Sequence, residues 1–355
     1  MGGIIGIGLS GLNVAHAGLV TTGHNIANVN TPGFHRQQVV QSASHVSDGG
    51  GAGITVGQGV HIDTVRRIYS DFLEREMSRA QAQASYYSTY SAQLEKVDNV
   101  LGDPSSGLAP AMQRFFEGVH DVASNPGSLA SRQAMLAAGS TLAVRFQTLE
   151  SQLNDSARAI DGQIQSTVSS VNAYAREIAA LNSRITAARA NPAQQPNDLL
   201  DQRDQLISEL NALIGTTVID QGDGTVTVSI GTGQALVVGQ QAYSLAAVAS
   251  ADTPDRVDVA LVVGGGNVWL PRSVLSGGSL GAVLAFRAGP LTDAQNELGR
   301  IAAGLTLTFN EQHRLGQDLR GGLGGDFFRP LQSPVTPRTT NGGNADITAT
   351  LTNAS

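Results

Sequence analysis

The chain has 355 residues, enough for one large or two to three ordinary domains, with 41% hydrophobic residues, 14% charged residues and a formal charge of −7. This composition excludes wholesale disorder, and an acidic balance with one lysine, Lys96, and dispersed arginines excludes a general nucleic-acid binder, which needs clustered cations to displace counterions from phosphate. Cysteine is absent, which removes disulfides, thiolate metal sites and a cysteine nucleophile together.

The first 35 residues contain no Asp, Glu, Lys or Arg. Within them Ile5, Leu9, Leu12, His16, Leu19 and Ile26 fall at helical steps, so the spacing predicts a helix with one apolar stripe and an opposite face of small, uncharged residues. Its glycines make such a helix marginal alone, and it is expected to order among partners. A cleaved secretory signal would need a basic start, and none precedes Arg36. Ser10, Asn13 and His16 interrupt the apolar run, so no membrane insertion is expected. Gly6 stands where a myristoylation signal needs Ser or Thr.

Residues 28–59 read as loop and short strands, with a turn at Asn30-Thr31-Pro32-Gly33 and a flexible tip at 48–53. A helix is expected from about Ser70 to Leu101, with the stripe Leu73, Ala80, Tyr87, Tyr90, Leu94, Val97 and Leu101. A shorter one covers Leu108 to Ala123, stopped by Asn125-Pro126-Gly127. The dominant element spans about Ser128 to Ala190, where Leu142, Phe146, Leu149, Leu153, Ile160, Ile164, Val168, Val171, Ile178, Leu181 and Ile185 keep helical spacing with no internal proline. Asn197 reads as the cap of a further helix ending near Leu213. Residues 216–245 alternate as strands around an Asp223-Gly224 hairpin turn, and further strands are expected at 257–263 and 268–270. Helical pattern returns over 280–312, and 345–351 looks like the opening strand of another β domain.

Several motifs invite a catalytic or ligand-binding reading. Gly6, Gly8 and Gly11 fit a dinucleotide-binding pattern, but only five residues precede them and no acid occurs before Asp48, so small residues for close helix packing explain them better. Ser279 lies in a GxSxG sequence, with Asp293 and His313 following in hydrolase order. A serine hydrolase is therefore a concrete rival, although Asp293 and His313 fall on one predicted helix about 30 Å apart at 1.5 Å per residue. Asp220 to Gly224 lacks the glutamate a calcium loop needs and reads as a hairpin turn. The seven histidines form no ligand pattern, so neither metal nor cofactor is expected. Arg66, Arg67, Arg184 and Arg189 read as cations on solvated helix faces.

The segment Gly23-His24-Asn25-Ile26-Ala27-Asn28-Val29-Asn30-Thr31-Pro32-Gly33-Phe34 resembles the signature of the flagellar rod, hook and hook-associated protein family, in which spaced asparagines end a small-residue helix before a T-x-G-[F/Y] turn. Asparagine amides can cap a helix end, and Pro32-Gly33 forces the exit. Four later stretches resemble the hook-associated protein 1 branch: the helix ending at Ala190, Asn197-Asp198-Leu199-Leu200-Asp201-Gln202-Arg203-Asp204, Gly278 to Arg287, and Phe309 to Phe328. There the serine motif belongs to a structural turn.

The resemblance implies a mainly α fold with β parts: an elongated bundle of long coiled-coil-like helices, a small β subdomain and the start of an outer β domain. The expected division is 1–63 for the axial helix, motif turn and linker loop; 64–214 for the long-helix rod; 215–276 for the β subdomain; 277–328 for return helices; and 329–355 for the outer domain. Family members end in C-terminal helices that pair with the N-terminal one, and their absence implies a truncated chain. The resemblance further implies a structural, non-enzymatic part of the extracellular flagellum at the hook–filament junction, with another axial protein of hook or rod as the alternative. Export would be by the flagellar type III route, and the implied partners are identical subunits in a ring, hook protein, a second hook-associated protein, the export apparatus and an export chaperone. Asn25, Asn28, Asn30, Thr31, Pro32, Gly33 and Phe34 are the family motif. Ile5, Leu9, Leu12, Leu19 and Ile26 are the expected assembly interface.

Overall fold

The computed structural model describes residues 4–44, 57–103, 107–190, 195–251, 253 and 255–330. The expected tip at 48–53 and strand at 345–351 lie outside the described residues. In chain order the elements are α1 (Ile4–Ala27), the strands β1 (Gln37–Ala43) and β2 (Val60–Arg67), then α2 (Asp71–Leu101), α3 (Leu108–Ser124), α4 (Leu129–Arg189) and α5 (Asn197–Leu213). Seven strands follow: β3 (Thr216–Asp220), β4 (Val226–Ile230), β5 (Gln234–Val238), β6 (Gln241–Ala242), β7 (Leu245–Ala249), β8 (Val257–Val263) and β9 (Gly266–Trp269). Next come α6 (Gly278–Phe286), a π turn (Arg287–Leu291) and α7 (Thr292–Arg314). The strands form three small sheets, ordered β1-β2, β3-β4-β5-β6 and β7-β8-β9.

The chain packs as two compact units: Met1–Gln93 with Ser166–Ala246 and Leu261–Ala285, and Leu94–Gln165 with Ala247–Ala260 and Phe286–Ser355. Helix α4 contributes to both, and its predicted stripe is its buried face: Phe146 is half-buried and the other ten residues are buried. On α2 the expectation fails. Leu73, Ala80, Tyr87 and Leu94 are exposed, Tyr90 and Leu101 are half-buried, and only Val97 of the proposed stripe is buried, whereas Ala82 and Gln93 face inward. Apolar spacing identified a face of α2, but not the face that packs within this chain.

In the first unit, β4 alternates as its sequence requires, with Val226, Val228 and Ile230 buried. The hairpin β3–β4 turns on Gly222 and Gly224 at positive φ, with the Asp220 and Asp223 carboxylates accepting from the Gly222 and Thr225 amides. Asn182, fully buried on α4, donates to the Val226 and Gly239 carbonyls and accepts from Arg203, which donates in turn to the Gly224 carbonyl. These bonds fix the β3–β6 sheet on its helices. Asn197 does not cap α5: Pro196 holds the cap position, and the Asn197 amide donates to the Val65 carbonyl at 2.7 Å.

In the second unit, Gly118 of α3 approaches the Met135 backbone of α4 so closely that a Cβ would lie 3.1 Å from the Met135 Cα. Phe115 and Leu142 anchor a core shared with Phe309, Phe327 and Phe328. The helical pattern expected over 280–312 is split by the π turn, which contains Pro290; proline supplies no N–H to an α ladder. Arg287 in this turn is buried and pairs with Asp161 and Asp258, both at 2.8 Å. Asn310 uses both ends of its amide on the segment after α7: its nitrogen donates to the Phe328 carbonyl at 2.7 Å, and its oxygen accepts from the Phe327 and Phe328 amides.

Replacing Asn310 with Ala removes three main-chain partners at once and leaves part-buried groups unpaired, at a cost of about 2 kcal/mol. Hydrogen exchange at the Phe327 and Phe328 amides should then accelerate by roughly thirtyfold, the equivalent of that energy. Unchanged protection would show that the aromatic packing alone holds the segment.

Candidate assembly interface and its anchor

Helix α1 is formed in the single chain, although its composition suggests ordering only among partners. Its polar face explains this. The Ser10 hydroxyl accepts from the Val60 amide at 3.1 Å, and the Asn25 side chain accepts from the Gln37 N–H at 2.8 Å while donating to the Gln37 carbonyl at 2.9 Å. A side-chain amide carries the donor and acceptor of a peptide unit, so Asn25 extends the pairing of β1 onto a helix. Gly59, at φ +93°, sits against Ser10 where a side chain would collide.

The opposite face is apolar and open. Ile5, Leu9, Leu12, Leu19 and Ile26 are between 56% and 87% exposed, and no residue of α1 is buried. Gly6, Gly8 and Gly11 lie inside this helix with open space around each, and among the described residues no strand precedes them. By length and composition alone α1 could cross a membrane, but its inward face is committed to β1 and β2 by Ser10 and Asn25.

The motif residues gather at the end of α1. The Asn28 side chain donates back to the His24 carbonyl at 3.0 Å and accepts from the Thr31 hydroxyl, while the Thr31 carbonyl accepts from the Phe34 amide. The Phe34 ring meets His24 edge to face. Gly33 has φ +74°, and a Cβ there would meet Gln205 of α5 at 2.9 Å, so the turn requires glycine twice over. Asn30, Thr31 and Pro32 are exposed at its tip.

Directly after the motif lies a cluster that the sequence reading missed. Arg67, expected on a solvated helix, ends strand β2 instead, with its side chain only 10% exposed. One nitrogen of its guanidinium lies 2.7 Å from both Asp201 and Asp204 of α5, and its plane covers the Tyr69 ring. His35 joins them: its backbone N–H and Nδ1 face the two Asp201 oxygens at 3.2 and 2.8 Å, and Nε2 faces Glu74 of α2 at 3.2 Å. Burial opposes the charge on Arg67, but Asp204 and Asp201 outweigh it and raise its pKa. Burial lifts the Asp204 carboxyl above its ordinary value, more than Arg67 pulls it down. Burial, then Asp204, Glu74 and Asp71, push the Tyr69 phenol to about 12. His35, Asp201 and Asp204 bring ligand atoms within 4.8 Å of one another, but Arg67 already supplies the cation between the two aspartates. The usable signal was in α5: acids three apart, at 201 and 204, on the face that also buries Leu200 and Ile207.

The serine motif has a structural explanation. Gly277 and Gly278 have φ of +83° and +64°, and a Cβ on Gly278 would lie 2.5 Å from the Leu213 carbonyl carbon. The glycines thus allow α6 to start hard against the end of α5. Asp293 lies at the start of α7 and His313 at its end, where Nδ1 is 2.7 Å from the Gly325 carbonyl, so the two cannot share a proton.

Substituting Arg67 with Met leaves two buried carboxylates without their cation and should destabilise the chain by about 3 kcal/mol at neutral pH. A carboxyl with a raised folded pKa contributes stability below its unfolded value of 3.8 and loses it as pH rises. The deficit in urea unfolding should therefore shrink as pH falls from 7 toward 4. An equal deficit at both values would show that the guanidinium does not act by compensating these carboxylates.

The helical-domain profile of flagellar hook-associated protein FlgK matches residues 94–328. Flagellar hook-associated protein 1 of Escherichia coli K12 is 39% identical over 359 residues, covering 100% of this chain and 65% of that protein. Its Salmonella typhimurium counterpart is 40% identical over 356 residues, covering 99% and 63%. This chain thus spans just under two thirds of the length of these curated relatives. Among solved structures, the flagellar hook junction protein FlgK from Burkholderia pseudomallei superposes with a TM-score of 0.67 at 35% identity, covering 71% of this chain and 46% of that one. With a family profile spanning most of its described length and a matching fold at this identity, the chain belongs to the flagellar hook-associated protein FlgK family.

Proposed function

We propose that the chain is a structural, non-catalytic subunit of the bacterial flagellum that joins hook to filament outside the cell. The observation that carries this reading is the apolar stripe Ile5, Leu9, Leu12, Leu19 and Ile26, left open on a helix whose other face is already bonded to β1 and β2. Burying a large apolar side chain is worth about 1.5–3 kcal/mol. Five such residues on one face therefore form a surface that favours contact with other protein over water. Identical subunits in a ring would cover part of that surface, with hook protein and a second hook-associated protein as axial neighbours. The motif at Asn25, Asn28, Asn30, Thr31, Pro32, Gly33 and Phe34 sets the angle at which α1 leaves β1. Delivery would follow the flagellar type III route with its export apparatus and chaperone, without cleavage.

Leu9→Asp places a charge in the middle of the open stripe without touching Ser10 or Asn25. The isolated variant should keep the parent's circular dichroism and thermal midpoint, yet fail to incorporate at the junction when supplied as the only copy in cells, which should then be non-motile. Normal incorporation and swimming would refute the reading.

A further inference from the structure

His35 is the one titratable group at this anchor whose geometry fixes its protonation state. Both ring nitrogens face carboxylate oxygens, Nδ1 toward Asp201 at 2.8 Å and Nε2 toward Glu74 at 3.2 Å. Ionised carboxylates only accept hydrogen bonds, and a neutral imidazole carries a single N–H. A neutral ring would therefore set a lone pair against one of the two acids. Only the imidazolium donates to both.

We infer that His35 is held as an imidazolium and acts as a proton-operated latch, fastening the motif turn to α5 through Asp201 and to α2 through Glu74. The charged and titratable groups facing it are Asp201 and Asp204 from α5, Glu74 from α2, Arg67 at the end of β2 and Tyr69 just beyond it. With the proton, two cations meet three carboxylates. Without it, Arg67 alone balances Asp201, Asp204 and Glu74. Burial and the nearby guanidinium oppose the charge on the ring, but the hydrogen bonds to Glu74 and Asp201 and the charge of Asp201 prevail, so its pKa lies above the ordinary 6.5.

The direction of the effect follows from linkage. A group whose folded pKa exceeds its unfolded one contributes its full stabilisation below the unfolded value and loses it as pH rises through the folded value. The latch is thus closed below pH 6.5 and opens on the alkaline side. Its opening equilibrium grows tenfold for each pH unit by which the folded value exceeds the unfolded one. The consequence is local: the turn loosens from α5, while Arg67, which does not titrate in this range, keeps β2 in place.

The test uses the whole chain as a monomer. Imidazole ¹⁵N chemical shifts should show both His35 ring nitrogens protonated on the acid side of the transition and a midpoint above 6.5. Amide exchange at residues 34–37, corrected for intrinsic base catalysis, should accelerate through the same midpoint in the parent and stay flat in His35→Gln, while amides of α4 follow neither. Glu74→Gln keeps the Asp201 contact and should move the midpoint down, which supplies a second reading should His35→Gln fail to fold. A midpoint at or below 6.5, a titration unchanged in Glu74→Gln, or the same pH dependence in His35→Gln and the parent would each overturn the latch. None of these readouts depends on assembly, so failure here leaves the junction reading standing, and failure of that reading leaves the latch standing.

Discussion

One guanidinium sets the geometry of the N-terminal region. Arg67 lies between Asp201 and Asp204 with little access to water, and it enters from the last residue of β2. Because β1 pairs with β2 from Gln37↔Arg67 to Ala43↔Val60, the position of Arg67 fixes the whole ribbon on α5. The ribbon in turn carries α1 through Ser10 and Asn25. In a chain with so few charges, placing this many of them inside is an expensive arrangement. An apolar replacement of the whole group could be as stable, since desolvation consumes much of the Coulombic gain. What an apolar cluster would lack is direction: a guanidinium nitrogen shared by two carboxylates accepts one register of the ribbon and rejects neighbouring ones.

A second device recurs at several points where a helix holds a neighbouring segment. Asn25 binds both polar groups of Gln37, Asn172 both of Leu245, Asn182 those of Val226, and Asn211 bridges the Ser78 carbonyl and the Thr216 amide. Asn310 does the same for Phe327 and Phe328. Long helices satisfy their own backbones and leave nothing for adjacent strands and loops to bond. A short amide projecting from the helix supplies the missing donor and acceptor without bulk, and Asp or Gln would lose either the donor or the fit.

These devices also explain what the sequence could and could not reveal. The α4 stripe was legible because its apolar face is the one packed within the chain. The hairpin at Asp223-Gly224 and strand β4 were legible because turn chemistry and alternation act locally. The inner face of α2 was not, because Leu73, Tyr87 and Leu94 outcompete Ala82 and Gln93 in any hydropathy pattern while facing solvent. Arg67 was misplaced because a basic pair ahead of a helix looks like a solvated start, and nothing local marks its partners 134 and 137 residues away. Asn197 looked like a cap for a similar reason: its actual partner, Val65, is distant in sequence. The π turn was missed: the pattern over 280–312 read as one helical run, and Pro290 within it carried a signal that went unused.

Helix α1 carries this mismatch furthest, since its polarity is inverted relative to a surface helix. Ser10, Thr21 and Asn25 face the rest of the chain together with Ile7 and Val14, while Ile5, Leu9, Leu12, Leu19 and Ile26 point away. Left to water, each outward Leu or Ile adds aggregation risk, so the pattern calls for a protein surface to cover it. Retaining it makes physical sense only if the outward face is the more demanding one. Contacts through Ser10 and Asn25 are weak enough in water to let the helix adjust, yet directional enough to hold its register. The inward face therefore aims the helix, and the outward face supplies the energy once another surface meets it. Under the proposed reading, that division lets one segment keep its place on β1 and β2 and still offer its apolar face to an assembly.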